Sequence, residues 1–466
     1  MEAFKSKKAE APAAEPRYEP KPFYRNVVRV ALPIALQSIL TQVVEASDSL
    51  MLGVLSQDAL SAISLATQVH FVLNMIFISI NVVISTMAAQ YWGKGDRVTV
   101  EKVFGFSMRL SVLISLLFFA AATFAPHLLM AFFTNDPEIA PLGIEYLRIA
   151  GVSYLLLGIS QPCLSVFKNT GRVTTSSVFS SIAVVLNLIL NALLIYGLLG
   201  FPALGIRGAA LATVISRGVE TVLALIVAFG SKKCTFRFRF FFRDDKPVRK
   251  QFLRLLPGIL GNMAVWGVGQ TVFSAIIGHL GSDLIAANSL ASIIRRLAAC
   301  FSAGIGNGSA VIVGHELGQD HLALAKLYSK KLMGLSLLVG VASGAALFFL
   351  IPVIIRLSSV SLSPESQEYL RYMLYFCCIY VLSKAANGVF VHGCFYAGGD
   401  MKFGLICDAI NLWGFIIPVG LLLAFVFHVP PLLVYIFLNM DEIVKIPAEI
   451  IHYRKYGWLR NITVKR

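Results

Sequence analysis

The sequence predicts an all-α membrane protein of about twelve transmembrane helices, arranged as two pseudo-symmetric six-helix bundles. Composition is the first ground. Of 466 residues, 57% are hydrophobic and only 14% charged, too few to cover the surface of a water-soluble fold of this size, and the mean hydropathy is +0.75. The second is the recurrence of helix-length apolar runs, each near the roughly 20 residues that cross a hydrocarbon layer about 30 Å thick. They lack the ten-residue alternation of a barrel, so helices must satisfy the backbone inside lipid. The third is an internal repeat.

The spans run 26–54, 60–90, 103–133, 145–168, 174–199, 206–230, 252–279, 284–316, 328–356, 366–396, 402–427 and 431–452. Turn residues separate them, as at Gly93-Lys94-Gly95-Asp96, Asn135-Asp136-Pro137, Gly398-Gly399-Asp400 and Pro430-Pro431. Lys and Arg gather in alternate connections: Lys94, Arg97 and Lys102 after span 2, Lys168 and Arg172 after span 4, and the stretch from Lys232 to Arg254 after span 6. The intervening connections carry almost none. The positive-inside rule then puts both termini in the cytoplasm of a multi-pass protein of the plasma membrane. This pattern explains the net charge of +15, and no recognition motif points to nucleic acid.

A shift of 225 residues lays 53–96 on 278–321 without a gap, with nine of forty-four positions identical. Gly53, Asp58, Ala62 and Gly93 meet Gly278, Asp283, Ala287 and Gly318. The two copies have the same orientation, so the halves form a parallel repeat about an axis along the membrane normal. The expected divisions are a cytoplasmic tail over 1–22, an N-lobe over 23–230, a basic linker over 231–251, a C-lobe over 252–453 and a second tail over 454–466. The first tail lacks the apolar core of a signal peptide. Within the linker, Phe236-Arg237-Phe238-Arg239-Phe240-Phe241-Phe242-Arg243 reads as an interfacial segment against anionic lipid.

No enzymatic constellation appears: there is no phosphate-binding Walker loop and no HExxH zinc motif. Cys163, Cys234, Cys300, Cys377, Cys378, Cys394 and Cys407 show no zinc or disulfide spacing. The chemistry lies in polar residues inside spans, which normally face a cavity or a partner because a charge at mid-bilayer costs about 2.5–3.5 kcal/mol on insertion scales. Asp48 lies five residues, or roughly 8 Å, inside the outer end of span 1. Asn187 and Asn191 share one face of span 5, and Thr213 lies at similar depth in span 6. A carboxylate, two amides and a hydroxyl suit a hard cation such as Na⁺; a desolvated Asp equally carries a proton.

Several segments together resemble the MATE (multidrug and toxic compound extrusion) family. They are Leu32-Pro33, Asp48 and Gly53 in span 1, Ala88 to Asp96 after span 2, Asn187 to Asn191 in span 5, Gly205 to Thr213 opening span 6, Val313 to Gln319 ending span 8, and Gly398-Gly399-Asp400. The resemblance covers about 23–458. It implies a V-shaped pair of lobes and a monomeric secondary transporter, with no cofactor, that exports small, often cationic and amphipathic organic compounds by antiport against H⁺ or Na⁺. It also implies a cation site at Asp48, Asn187, Asn191 and Thr213, and a hinge at Pro33. A flippase for lipid-linked sugars, from the same wider superfamily, is the alternative.

The repeat partner of Asp48 is Phe273, so the cation site is not duplicated. Candidates for a substrate cavity are Glu45, His70, Gln270, Arg295, Arg296, Lys384 and Asp408. Arg296 is expected to pair with a C-lobe carboxylate: Asp408, Asp441 or Glu442. Lys168, His315 and Glu316, near span ends, are expected to snorkel. Asp48→Asn is expected to insert normally and to lower gradient-driven transport at least about tenfold, equivalent to roughly 1.4 kcal/mol. Undiminished efflux in proteoliposomes would refute the role.

Overall fold

In a computed structural model, the residues described are 18–53, 57–134, 136–230, 244–358 and 362–464, without the side chains of 48–50, 52, 53 and 57. The Phe/Arg segment 236–243 lies outside them. Eleven helices among the described residues are long and apolar enough to cross a membrane. Spans 1 to 6 are Pro20–Gly53, Gln57–Gly93, Arg97–Phe124, Ile139–Asn169, Val173–Tyr196 and Ile206–Gly230. Spans 7 to 9 are Lys246–Gly278, Ser282–Gly318 and Leu322–Ser358. Span 10, Pro364–Gly388, continues through a π-helical stretch, Val389–Tyr396. Span 11 covers Met401–Val426 and includes further π-helical turns.

Local chemistry fixes the ends. Asp96 accepts the Thr99 amide at 3.0 Å to start span 3, and Asp245 accepts the Val248 amide at 3.2 Å to start span 7, each satisfying one of the orphan donors of a helix N-terminus. Gly197, at φ 71°, stops span 5 with a left-handed residue.

Two expected spans are divided. The run over 103–133 breaks at Ala125, and Pro126 opens a separate helix, Pro126–Phe133. Proline has no N–H to continue the ladder and disfavours helix at the residue before it. The twelfth segment, expected as one helix over 431–452, is three pieces: Pro431–Leu438, Asp441–Val444 and Ile446–Arg454. It carries Asp441, Glu442, Lys445 and Glu449, and its turns at Asn439 and Lys445 serve those charges rather than lipid. The last segment is also not a free tail. Trp458 is fully buried, and Ile462 donates its amide to Gln90 Oε1 at 2.8 Å.

Spans 1–6 pack as one bundle, with span 4 central against spans 2, 3 and 6, and span 5 against spans 1 and 6. Spans 8, 9 and 10 pack on one another in the second bundle, and span 7 packs on span 11. Between bundles, span 1 lies on span 8 and span 2 on span 7, which are equivalent pairs under the 225-residue repeat. Close approaches obey the same symmetry. A Cβ on Gly93 would lie 2.2 Å from the His315 carbonyl oxygen, and a Cβ on Gly318 would lie 1.9 Å from that of Gln90. Gly93 and Gly318 are repeat partners, as are Gln90 and His315. Gly314 meets its own partner, Ala89, so the axis passes between them.

These contacts close the face that carries both described chain ends. Thr86 Oγ1 donates to Tyr396 O at 2.8 Å, and Gln90 Nε2 donates to Ala397 O at 2.7 Å and to Arg460 O at 3.1 Å. Gly318→Ala forces a methyl group into a backbone carbonyl. It is expected to cost about 1–3 kcal/mol and to speed hydrogen exchange over 86–93, read by mass spectrometry; unchanged exchange and melting would contradict this packing.

Candidate functional site

Three polar regions lie inside the bundle. The first is in the N-lobe. Thr41, Glu45, Asn187, Thr213, Ser216 and Arg217, from spans 1, 5 and 6, line a cavity of about 90 Å³. Asn187 Nδ2 donates to Thr213 Oγ1 at 3.4 Å, and Thr213 Oγ1 donates to Ala209 O at 3.0 Å. Gln42 Nε2 donates to Glu45 at 3.2 Å. Asn191, buried, stands one turn beyond Asn187. Asp48 belongs to the span 1 helix, one turn beyond Glu45, but its side chain lies outside the described residues. The helix runs unbroken through Pro33.

Sequence reasoning missed two residues here. Arg217 lines the cavity and bonds at 3.0 Å to Glu220, which is 1% exposed and also accepts from Ser160 at 3.4 Å. The available signal was an oppositely charged i, i+3 pair inside an apolar span. His70 stacks on Tyr154, ring centroids 5.9 Å apart, within the field of Arg217.

The second region is a charge network in the C-lobe. Lys384 Nζ lies 2.5 Å from Glu442 Oε1, and Asn387 Nδ2 donates to Glu442 Oε2 at 2.6 Å. Lys445 bridges Glu442, at 3.2 Å, and Asp408, at 3.4 Å. Asn262 Nδ2 donates to Asp408 at 2.8 Å, and Asn411 Nδ2 to the Asp441 carbonyl at 2.8 Å. Spans 7, 10, 11 and the broken segment 12 are thereby joined through their polar groups.

This network corrects the expectation for Arg296. Asp408 and Glu442 are engaged by the two lysines, and Arg296 forms no salt bridge among the described residues. Arg295 donates to Asn439 and lies 5.1 Å from the Tyr380 ring centroid. Gln270 joins neither cluster; its backbone carbonyl accepts from Ser274.

The third region lies between the lobes, in the half nearest the chain ends. It is a cavity of about 250 Å³ with Gln37, Asn81, Gln161 and Lys168 on the N-lobe wall and Asn307 and His392 on the C-lobe wall. The π-helical stretch after Asn387 carries His392 and Tyr396 to this wall. Lys168, expected to snorkel, faces the interior instead. His315 is also not a snorkelling group: its Nε2 lies 2.9 Å from the Asn169 carbonyl oxygen. No group of three or more His, Cys, Asp or Glu among the described residues is arranged to hold a metal ion.

Two bundles of helices about a pseudo-twofold axis, with a cavity between them, define a multi-pass membrane transporter. The MatE family model matches residues 33–193 and 257–422, so the chain belongs to that family, one of multidrug efflux transporters rather than enzymes. It is 22% identical over 453 residues to a probable multidrug resistance protein NorM of Thermotoga maritima, covering 97% of this chain and 96% of that one. It is 28% identical to the probable NorM of Rhizobium meliloti, over 71% of this chain and 70% of that one. Its fold matches a multidrug resistance MATE family transporter of the MOP superfamily in an outward-facing conformation, at TM-score 0.86 and 16% identity, covering 94% and 96% of the two chains. It also matches a MATE structure in the straight conformation, at TM-score 0.84 and 17% identity, covering 94% and 97%.

Glu442→Ala leaves Lys384 and Lys445 without their shared carboxylate and is expected to destabilise the fold by about 3–5 kcal/mol. Lys384→Met should cost less, because Lys445 still compensates Glu442. Melting of the purified variants checks the order; a reversed order would break the assignment of Lys445 as a bridge.

Proposed function

We propose that the chain is an ion-coupled antiporter that exports small organic compounds by alternating access, with the coupling ion bound in the N-lobe. The observation that carries this reading is the cavity where Glu45, Asn187 and Thr213 meet, one helical turn from Asp48. A carboxylate, an amide and a hydroxyl offer oxygen ligands to Na⁺, and a carboxylate away from bulk water also takes a proton. Arg217 shares the cavity, but its charge is balanced by Glu220.

The basic connections of the sequence favour a cytoplasmic location for both termini in a prokaryotic cell membrane, with a monomer surrounded by lipid. The contacts of Gln90 with Ala397, Arg460 and Ile462 then seal the cytoplasmic side. Export requires those bonds to break and reform as the lobes rock, and an ion bound more tightly in one state biases the exchange. The resemblance alone implied cationic substrates. Among the described residues no carboxylate lines the interlobe cavity, so the proposed substrates are organic compounds without that restriction. The flippase alternative calls for a strongly basic cavity, and Lys384 and Arg295 are engaged by Glu442 and Asn439.

Efflux of a fluorescent organic solute from proteoliposomes, under proton and sodium gradients imposed separately, tests the proposal and identifies the ion. One gradient should drive efflux, and Glu45→Gln or Asn187→Ala should slow it at least about tenfold, roughly 1.4 kcal/mol of coupling. Equal efflux with no gradient would overturn antiport.

A further inference from the structure

We infer that the interlobe cavity is a binding site for small organic anions (carboxylates, phosphates or sulfonates) anchored by Lys168. The inference deepens the transporter reading by naming a substrate class, although binding itself does not depend on that reading.

Charge balance is the first argument. Lys384 and Lys445 have Glu442 and Asp408, Arg217 has Glu220, and Arg295 has Asn439 and the Tyr380 ring; Arg296, without a salt bridge among the described residues, is exposed. Lys168 differs. It lines the cavity near the end of span 4 and has no hydrogen bond or ion pair with any described residue. Glu220 acts on it from a distance, but Arg217 and Ser160 hold that carboxylate. An ammonium group without a partner inside a membrane protein is costly, and an arriving anion supplies the missing charge.

The rest of the lining agrees. Among the described residues Lys168 is its only Lys or Arg, and no Asp or Glu faces the space. The amides of Gln161 and Asn307 and the hydroxyl of Ser180 place donors on both lobes. An organic cation would find one tyrosine ring, Tyr396, and no carboxylate. Two buried acceptors in the same lining, Gln37 Oε1 and Asn81 Oδ1, lack a protein hydrogen-bond partner. They fit a ligand whose organic body carries hydroxyl or amine donors beside its acidic group. Because both lobes contribute to the wall, such a ligand contacts the two bodies that must move during transport.

Fluorescein and rhodamine 123 share a ring system and differ in charge. Their binding to the purified full-length protein in detergent, read by fluorescence anisotropy without any gradient, tests the site. Fluorescein should bind at least about tenfold more tightly than rhodamine 123. Lys168→Gln should weaken fluorescein at least about tenfold while keeping the wild-type elution profile and melting, and Lys168→Arg should restore most of the affinity. Tighter binding of rhodamine 123, no binding of fluorescein, or unaltered binding by Lys168→Gln would overturn the inference. Competition by phenyl phosphate identifies a soluble anion, and competition by lauryl phosphate alone identifies a lipid headgroup. Proteoliposome efflux separates the two proposals. Fluorescein binding without gradient-driven flux removes the antiporter and keeps the anion site, whereas gradient-driven flux of rhodamine 123 alone keeps the antiporter and removes the anion site.

Discussion

The contact of span 2 with span 8 across the pseudo-twofold axis is the constraint on which the rest of the molecule depends. Gly93 against His315, Gly318 against Gln90 and Ala89 against Gly314 bring two backbones together with nothing larger than a methyl group between them. In lipid there is little hydrophobic drive to join helices, so close packing of small residues and hydrogen bonds must hold the halves together. That closure sets the spacing of the lobes, and the spacing creates the cavity above it. The Gln90 side chain adds hydrogen bonds to Ala397, Arg460 and Ile462, so the C-terminal segment becomes part of the seal.

The two lobes share a frame but differ in how they hold charge. In the N-lobe, Glu45, Asn187 and Thr213 surround a small cavity. In the C-lobe, Lys384 and Lys445 are bound to Glu442 and Asp408, so side-chain ammonium groups occupy the positions a free cation would need. Breaking that network would leave buried charges uncompensated, and it therefore rigidifies the lobe. One half leaves its polar groups around a cavity, and the other ties its lysines to carboxylates. The interlobe cavity, with Lys168 on one wall and His392 on the other, lies between them.

Much of this was legible in the chain. Membrane insertion needs long apolar runs, and eleven were found as helices. The repeat was legible because equivalent positions, such as Gly93 and Gly318, meet equivalent constraints at the axis. Proline broke the run after Phe124 where its missing N–H requires it, an effect that apolar content alone had masked. The twelfth segment was harder to read. Its charges make it a poor lipid-facing helix, and only partners from spans 10 and 11 explain why they are there. Arg217 and Glu220 were overlooked because an i, i+3 pair in an apolar span announces itself only when paired charges are sought.

By itself the sequence determined the solvent, the helical class, the twofold repeat and the family, because these follow from summed apolar content, periodicity and ordered motifs along the chain. Tertiary structure decided which polar groups meet. Lys384 and Glu442 are 58 positions apart, Gln90 and Ile462 372 apart, and no local pattern encodes such pairs. It also decided where Lys168 points. A lysine at a span end can reach water or face inward with equal local logic, and only the packing of the opposite lobe turned that position into the wall of a cavity.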